Sequence, residues 1–151
     1  MRALIMEKMY DWSKRPYQKF FKKNTPWNRT TEELLKYPQE TLGHQLGHFL
    51  KVNQFEIQPK LEDHDVFHVL TQTGTTVPEE IGMQFYLWGN GKKSMYQYAV
   101  ILLGAFFYMD RWFYFRTQYQ RGKSAHVFHY LDFSKMLTIP TVILQQTFKI
   151  H

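Results

Sequence analysis

Leu42, Leu46, Phe49 and Leu50 recur at intervals of three and four residues, and this spacing predicts a helix over residues 40–51. Upstream, TTEELLKYP reads as a short helix with Thr30 or Thr31 as its cap and Pro38 as its stop. Residues 52–59 carry no helical period and read as extended chain or loop, whereas 61–72 read as helix again. Thr76-Val77-Pro78-Glu79 has the form of a capping box, in which Glu79 reaches back to the Thr76 amide. Proline is tolerated in that first turn because the amide it lacks has no helical partner. The helix so begun runs to Gly89-Asn90-Gly91, a stop signal. From Ser94 a single long apolar and aromatic helix is predicted to about Gln120, ended by Arg121-Gly122. Residues 125–133 (AHVFHYLDF) read as strand or loop, and Thr138-Ile139-Pro140 opens a last amphipathic helix through Val142, Ile143, Gln146 and Phe148. Strand signals are otherwise scarce. The pattern predicts an all-α fold, a compact multi-helix bundle.

The chain has 151 residues, enough for one domain to bury a core unaided, and 18% of them are aromatic. It has no cysteine, so disulfides and thiolate metal sites are excluded; a bound metal must take nitrogen and oxygen donors. This composition fits a reducing compartment.

The formal charge is +6. Much of it lies near the N-terminus, where Lys8, Lys14, Arg15, Lys19, Lys22, Lys23 and Arg29 alternate with Tyr10, Trp12, Tyr17, Phe20, Phe21 and Trp27. Basic residues among large aromatics suit an anionic membrane surface at least as well as a nucleic acid. A solvated basic helix with its rings on the core is the plainer alternative. Residues 1–30 are therefore set apart as a basic, aromatic N-terminal segment and 31–151 as the helical domain. The apolar run AVILLGAFFYM at 99–109 is too short to span a bilayer, which needs about 20 residues. Lys8, Asp11 and Lys14 break up any signal-like apolar stretch. The expected location is cytoplasmic, peripheral to the inner face of the membrane, with no nucleic-acid partner.

The densest chemistry is HDVFHVLTQTGTTVPEE at 64–80. Residues four apart share a helix face, so His64 and His68 can serve one ion, with Asp65 either joining them or orienting an imidazole. The loop TQTGTT reverses the chain, with Gly74 free to take a positive φ. Glu80 follows in the first turn of the next helix. Glu79 has its capping task, which leaves Glu80 to face the histidines. Spacing alone leaves two outcomes open here, a metal site or a hydrogen-bonded helix pair. His44 and His48 share the four-residue spacing but sit between Gly43 and Gly47 with no acid near, and read as ordinary boundary histidines; His126 and His129 have only Asp132 close by.

HDVFH followed by eleven residues and Glu80 resembles the H-D-x-x-H-x(11)-E signature of the fourth coenzyme Q (ubiquinone) biosynthesis protein family. PQETLGHQLGHFL at 38–50 is similar to that family's P-x-x-S/T-L-G-x-x-x-x-x-F-L segment. ILLGAFFYMDRW at 101–112 resembles its apolar helix, and QRGKSA at 120–125 its RGR-x-A segment; the resemblance covers roughly residues 36–150. It implies an all-helical protein with His64, Asp65, His68 and Glu80 as ligands of a divalent metal, zinc by default on ligand type. It also implies peripheral membrane association and a part in ubiquinone assembly. The reaction it implies is removal of the C1 carboxyl of a polyprenylated aromatic precursor, with hydroxylation at that carbon. The alternative is a non-catalytic scaffold that presents the precursor to partner quinone-biosynthesis enzymes, its metal structural. Leu102, Leu103, Phe106, Phe107 and Phe113 are the candidates to line a groove for the prenyl tail; a helical aromatic stripe is otherwise core, or the contact of a homodimer.

Overall fold

Hydroxyl-bearing residues begin most of the helices. In the computed structural model, which describes residues 26–59 and 62–151 together with Leu4 and Lys8, Thr30 and Glu33 cap one another at the start of α1 (Thr31–Leu34). Thr41 caps α2 (Leu42–Asn53), its hydroxyl held by the Pro38 carbonyl at 2.7 Å. Helix α3 (Glu62–Thr71) begins with three acids in its first turn, where the exposed amides favour negative charge. Thr76 opens α4 (Val77–Gly89), Ser94 caps α5 (Met95–Phe107), and α6 (Trp112–Ser124) and α7 (Thr141–Phe148) complete the series. Among the described residues there is no strand, only an isolated antiparallel bridge between Thr41 and Pro140. The fold is all-α, as expected. Most of the basic, aromatic 1–30 segment lies outside the described residues; at its end, the Trp27 amide donates to the Glu62 carboxylate at 3.0 Å.

Leu42, Leu46 and Leu50 of α2 meet Val66, Phe67 and Leu70 of α3, Met83 and Tyr86 of α4, and Phe128, Phe133 and Leu144 from the C-terminal part. A second, smaller cluster joins Ile81 and Phe85 of α4 to Tyr108 and Phe115. Helix α4 is thus central, buried on one side by α3 and on the other by α5 and α6.

The predicted single helix over 94–120 is two helices. Tyr108 leaves helical geometry (φ −126°, ψ 45°), Met109–Arg111 makes one 3-10 turn, and α6 starts at Trp112. A straight helix of that length would extend about 40 Å and carry one half past the core. The break lets Tyr108 and Phe115 join the same cluster. An all-apolar run offers no polar phase to mark the bend; the sequence signal was Asp110-Arg111.

The predicted stop at Gly89-Asn90-Gly91 holds, with Gly89 the last residue of α4 and Asn90 its cap, whereas α6 runs past Gly122 to Ser124. The two glycines allow a close crossing of α4 over α6. A Cβ on Gly89 would strike the Tyr119 carbonyl, and one on Gly122 the Tyr86 carbonyl. Segment 125–133 is loop: the Asn90 amide donates to the Gly122 and His126 carbonyls at 3.2 and 3.0 Å, and its oxygen accepts from the Phe128 and His129 amides.

Candidate metal centre

Helices α3 and α4 are joined by a five-residue turn whose ends are pinned. Gln72 takes the left-handed conformation (φ 54°), and the last carbonyls of α3 are held from outside the helix. Arg121 donates to the Thr71 carbonyl at 3.1 Å and Gln145 to that of Leu70 at 2.9 Å. Inside the turn the Thr71 and Thr73 hydroxyls pair at 2.7 Å. Gly74, expected to adopt a positive φ, does not; it is needed because a Cβ there would run into the Glu79 carboxylate. That carboxylate accepts the Thr76 amide at 3.0 Å, which completes the predicted capping box.

The turn delivers Glu80 to the histidines. Its Oε1 lies 3.1 Å from His68 Nε2 and its Oε2 3.2 Å from His64 Nε2. One donor atom from each of the three residues falls within 4.8 Å of the others. Asp65 stands at the far side of the His64 ring, its Oδ1 3.6 Å from Nδ1, beyond hydrogen-bond length. The imidazole of His68 is fixed by a contact the sequence could not display: Nδ1–H donates to the Thr73 carbonyl at 3.0 Å, which leaves Nε2 facing Glu80.

These donors fit a small divalent cation. Nitrogen and oxygen ligands about 2.0–2.1 Å from a tetrahedral zinc lie about 3.4 Å apart, and donors already within 4.8 Å of one another reach that spacing by small side-chain movements. His64 Nε2 is shielded from water and makes no aligned hydrogen bond, a polar atom that an ion at this place would satisfy. His68 is 1% exposed, whereas His64 and Glu80 keep 21% and 26% of their side-chain surface open, which leaves a way in for an ion or ligand. Burial alone would push the His64 imidazole down, but the Glu80 and Asp65 carboxylates override it and hold it up at about 9. Burial likewise disfavours the Glu80 carboxylate, and the two imidazoles bring it down to about 2. Without an ion, the three groups form a charged cluster.

The other sequence candidates are dispersed. His44 Nδ1 donates to the Leu35 and Tyr37 carbonyls at 3.0 Å each and so fastens α2 to the end of α1. His48 is exposed and lines a cleft of about 540 Å³ with Phe49, Asn53, Val69, Gln72 and Gln145 among its walls. Leu103 and Phe107 pack on the second cluster, while Leu102, Phe106 and Phe113 are 73%, 68% and 82% exposed. Met95 and Met109 are likewise exposed, at 81% and 72%. Among the described residues, no helix is long and apolar enough to cross a membrane.

No protein-family model and no curated protein matches the chain. Among solved structures, the crystal structure of a proposed ubiquinone biosynthesis protein from Nostoc punctiforme is similar in fold, with a TM-score of 0.68 at 16% sequence identity. The likeness covers 85% of this chain and 71% of that one.

Proposed function

We propose that this protein is a metal-dependent component of ubiquinone or related prenyl-quinone biosynthesis that binds a polyprenylated aromatic precursor at a membrane surface. The observation that carries the reading is the meeting of His64, His68 and Glu80 across one tight turn. It stands beside the signature resemblance and a fold shared with a protein whose name points to the same pathway. His64, His68 and Glu80 would hold the ion, most simply zinc, with Asp65 on the Nδ1 side of the His64 ring, where it would orient that imidazole.

The chemistry is C1 decarboxylation of the precursor's ring, in which the bond from C1 to the carboxyl carbon breaks, CO2 leaves and a proton from solvent takes its place. When bound, the metal would supply a Lewis acid that stabilises the negative charge passed to a ring oxygen as the carboxylate departs. The chain's own residues do the rest. The Thr73 carbonyl keeps a proton on His68 Nδ1, the Glu80 carboxylate offsets the cation's charge, and the stack of Phe49 on His68 keeps water from that face. Three donors leave a coordination position free, which favours a reactive site over a purely structural one. The neighbouring cleft, at about 540 Å³, falls in the range of small-molecule sites and shares Phe49 with the donor cluster. The exposed large apolar side chains of Met95, Leu102, Phe106, Met109 and Phe113 suit insertion among lipid head groups on the inner face of the membrane.

The test is elemental analysis of the purified protein with extraction and mass spectrometry of bound lipid. A stoichiometric metal and a prenylated phenolic acid are expected. Protein that takes up no metal under metal-replete conditions refutes the reading. A precursor that remains carboxylated after incubation with the metal-loaded protein and membranes would favour the non-catalytic scaffold.

A further inference from the structure

We infer that Phe49 is a positioning residue for the metal-binding imidazole of His68; this rests on the metal reading above. The two rings are stacked, with centroids 5.3 Å apart and planes 16° from parallel. The His68 Nδ1–H bond to Thr73 constrains the same ring in a different way. A single hydrogen bond fixes which ring atom faces the turn but lets the imidazole rock about the Nδ1···O line. A near-parallel ring offset beside it resists that rocking, because tilting opens a gap where the two rings overlap. The two restraints together aim Nε2 at Glu80 Oε1, 3.1 Å away. His64 has a different neighbour, meeting the His68 ring at 71° with centroids 4.9 Å apart, so the Phe49 stack acts on His68.

The same reading accounts for the TLGHQLGHFL segment, which the donor set leaves unused. Leu42, Leu46 and Leu50 enter the core. Gly43 and Gly47 let Tyr37 and Leu34 approach the helix backbone, and His44 ties the end of α1. Phe49 is left for α3, half-buried, with its other aromatic contact an edge-on approach to Phe55 at 6.0 Å. Helix α2 therefore contributes to the site without supplying a ligand.

The full chain, stripped of metal, is titrated with Co²⁺ and with Zn²⁺, and its visible Co²⁺ absorption is recorded. Partners that orient a metal-binding imidazole are worth about 10–100-fold in affinity, and a stack without a hydrogen bond belongs at the lower end, so Phe49→Leu should weaken binding about tenfold. The Co²⁺ bands should shift with it, a change that lost stability alone does not produce. Phe49→Tyr, which keeps the ring, should retain both affinity and spectrum, as should Phe55→Leu. Wild-type affinity and an unchanged spectrum in Phe49→Leu overturn the inference while leaving the metal reading intact. If Phe49→Leu does not fold, Phe49→Met takes its place, and weakened binding in Phe49→Tyr overturns the inference in either case. Wild-type protein that binds no Co²⁺ overturns the metal reading, and this inference with it.

Discussion

Glu79 and Glu80 are adjacent in sequence yet act on opposite partners: Glu79 folds back to the Thr76 amide at 3.0 Å, while Glu80 spans His64 and His68 at 3.2 and 3.1 Å. Successive residues on a helix point about 100° apart, so one turn can present one carboxylate to its own cap and the next to a neighbouring helix. Glu80→Ala should therefore abolish metal binding with the helix start intact. Glu79→Ala should keep the metal and lose about 1 kcal/mol of stability through the cap. Metal content and chemical denaturation of both variants check this, and the reverse ranking would show the two roles exchanged.

The histidine pairs separate in the same way. His64→Ala and His68→Ala should each remove most of the bound metal. His44→Ala should retain it, but should destabilise the fold by about 1–2 kcal/mol, because two carbonyls lose their shared donor. Equal metal content in all three variants would argue against the assigned site.

The charged cluster sets a pH response for the metal-free protein. His64 is held up at about 9 against an ordinary value of 6.5, so its stabilisation is complete below 6.5 and fades as pH rises toward 9. Glu80 is held down at about 2 against 4.5, so its contribution is complete above 4.5 and fades as pH falls toward 2. Melting temperature in the presence of chelator should be highest between these limits and fall on both sides, and His64→Gln should flatten the alkaline fall. Metal must also displace the His64 proton, so apparent affinity should climb about tenfold per pH unit up to about pH 9. A pH-independent affinity across this window would mean that His64 is not a ligand.

The exposed apolar side chains offer a test of the membrane reading. Phe106→Ser combined with Phe113→Ser changes side chains that are 68% and 82% exposed, so stability should move by no more than about 0.5 kcal/mol per site. Sedimentation with vesicles containing anionic lipid should fall sharply. Unchanged sedimentation would place membrane contact elsewhere on the molecule.

The local signals that were legible in the sequence are those in which a side chain acts on its own neighbourhood. The Thr76–Glu79 box, the Thr30 cap and the His64–His68 face all depend on intervals of three or four residues. What stayed hidden depends on distant backbone. The carbonyl of Thr73 holds His68, yet every residue has a carbonyl, and composition cannot say which one faces an imidazole. Gly122 looks like a helix end, and Gly89 like no more than one, because nothing in either segment reveals that the other passes over it. The bend at Tyr108 is set by the position of Phe85 and Ile81, which the apolar run does not encode. Phe49 is indistinguishable by period from the leucines that flank its stripe.

Helix α4 is clasped at its far end, where the Gly89–Gly122 crossing and the four bonds of Asn90 bind it to α6 and the following loop. Its near end carries Glu80. A rod anchored like this has its fulcrum away from the chemistry, so any travel of the carboxylate relative to the imidazoles must be absorbed by the few residues between Thr71 and Val77. Shortening or lengthening that hairpin by one residue would leave the rod in place and swing Glu80 off target, converting a folded protein into one without a grip on its ion.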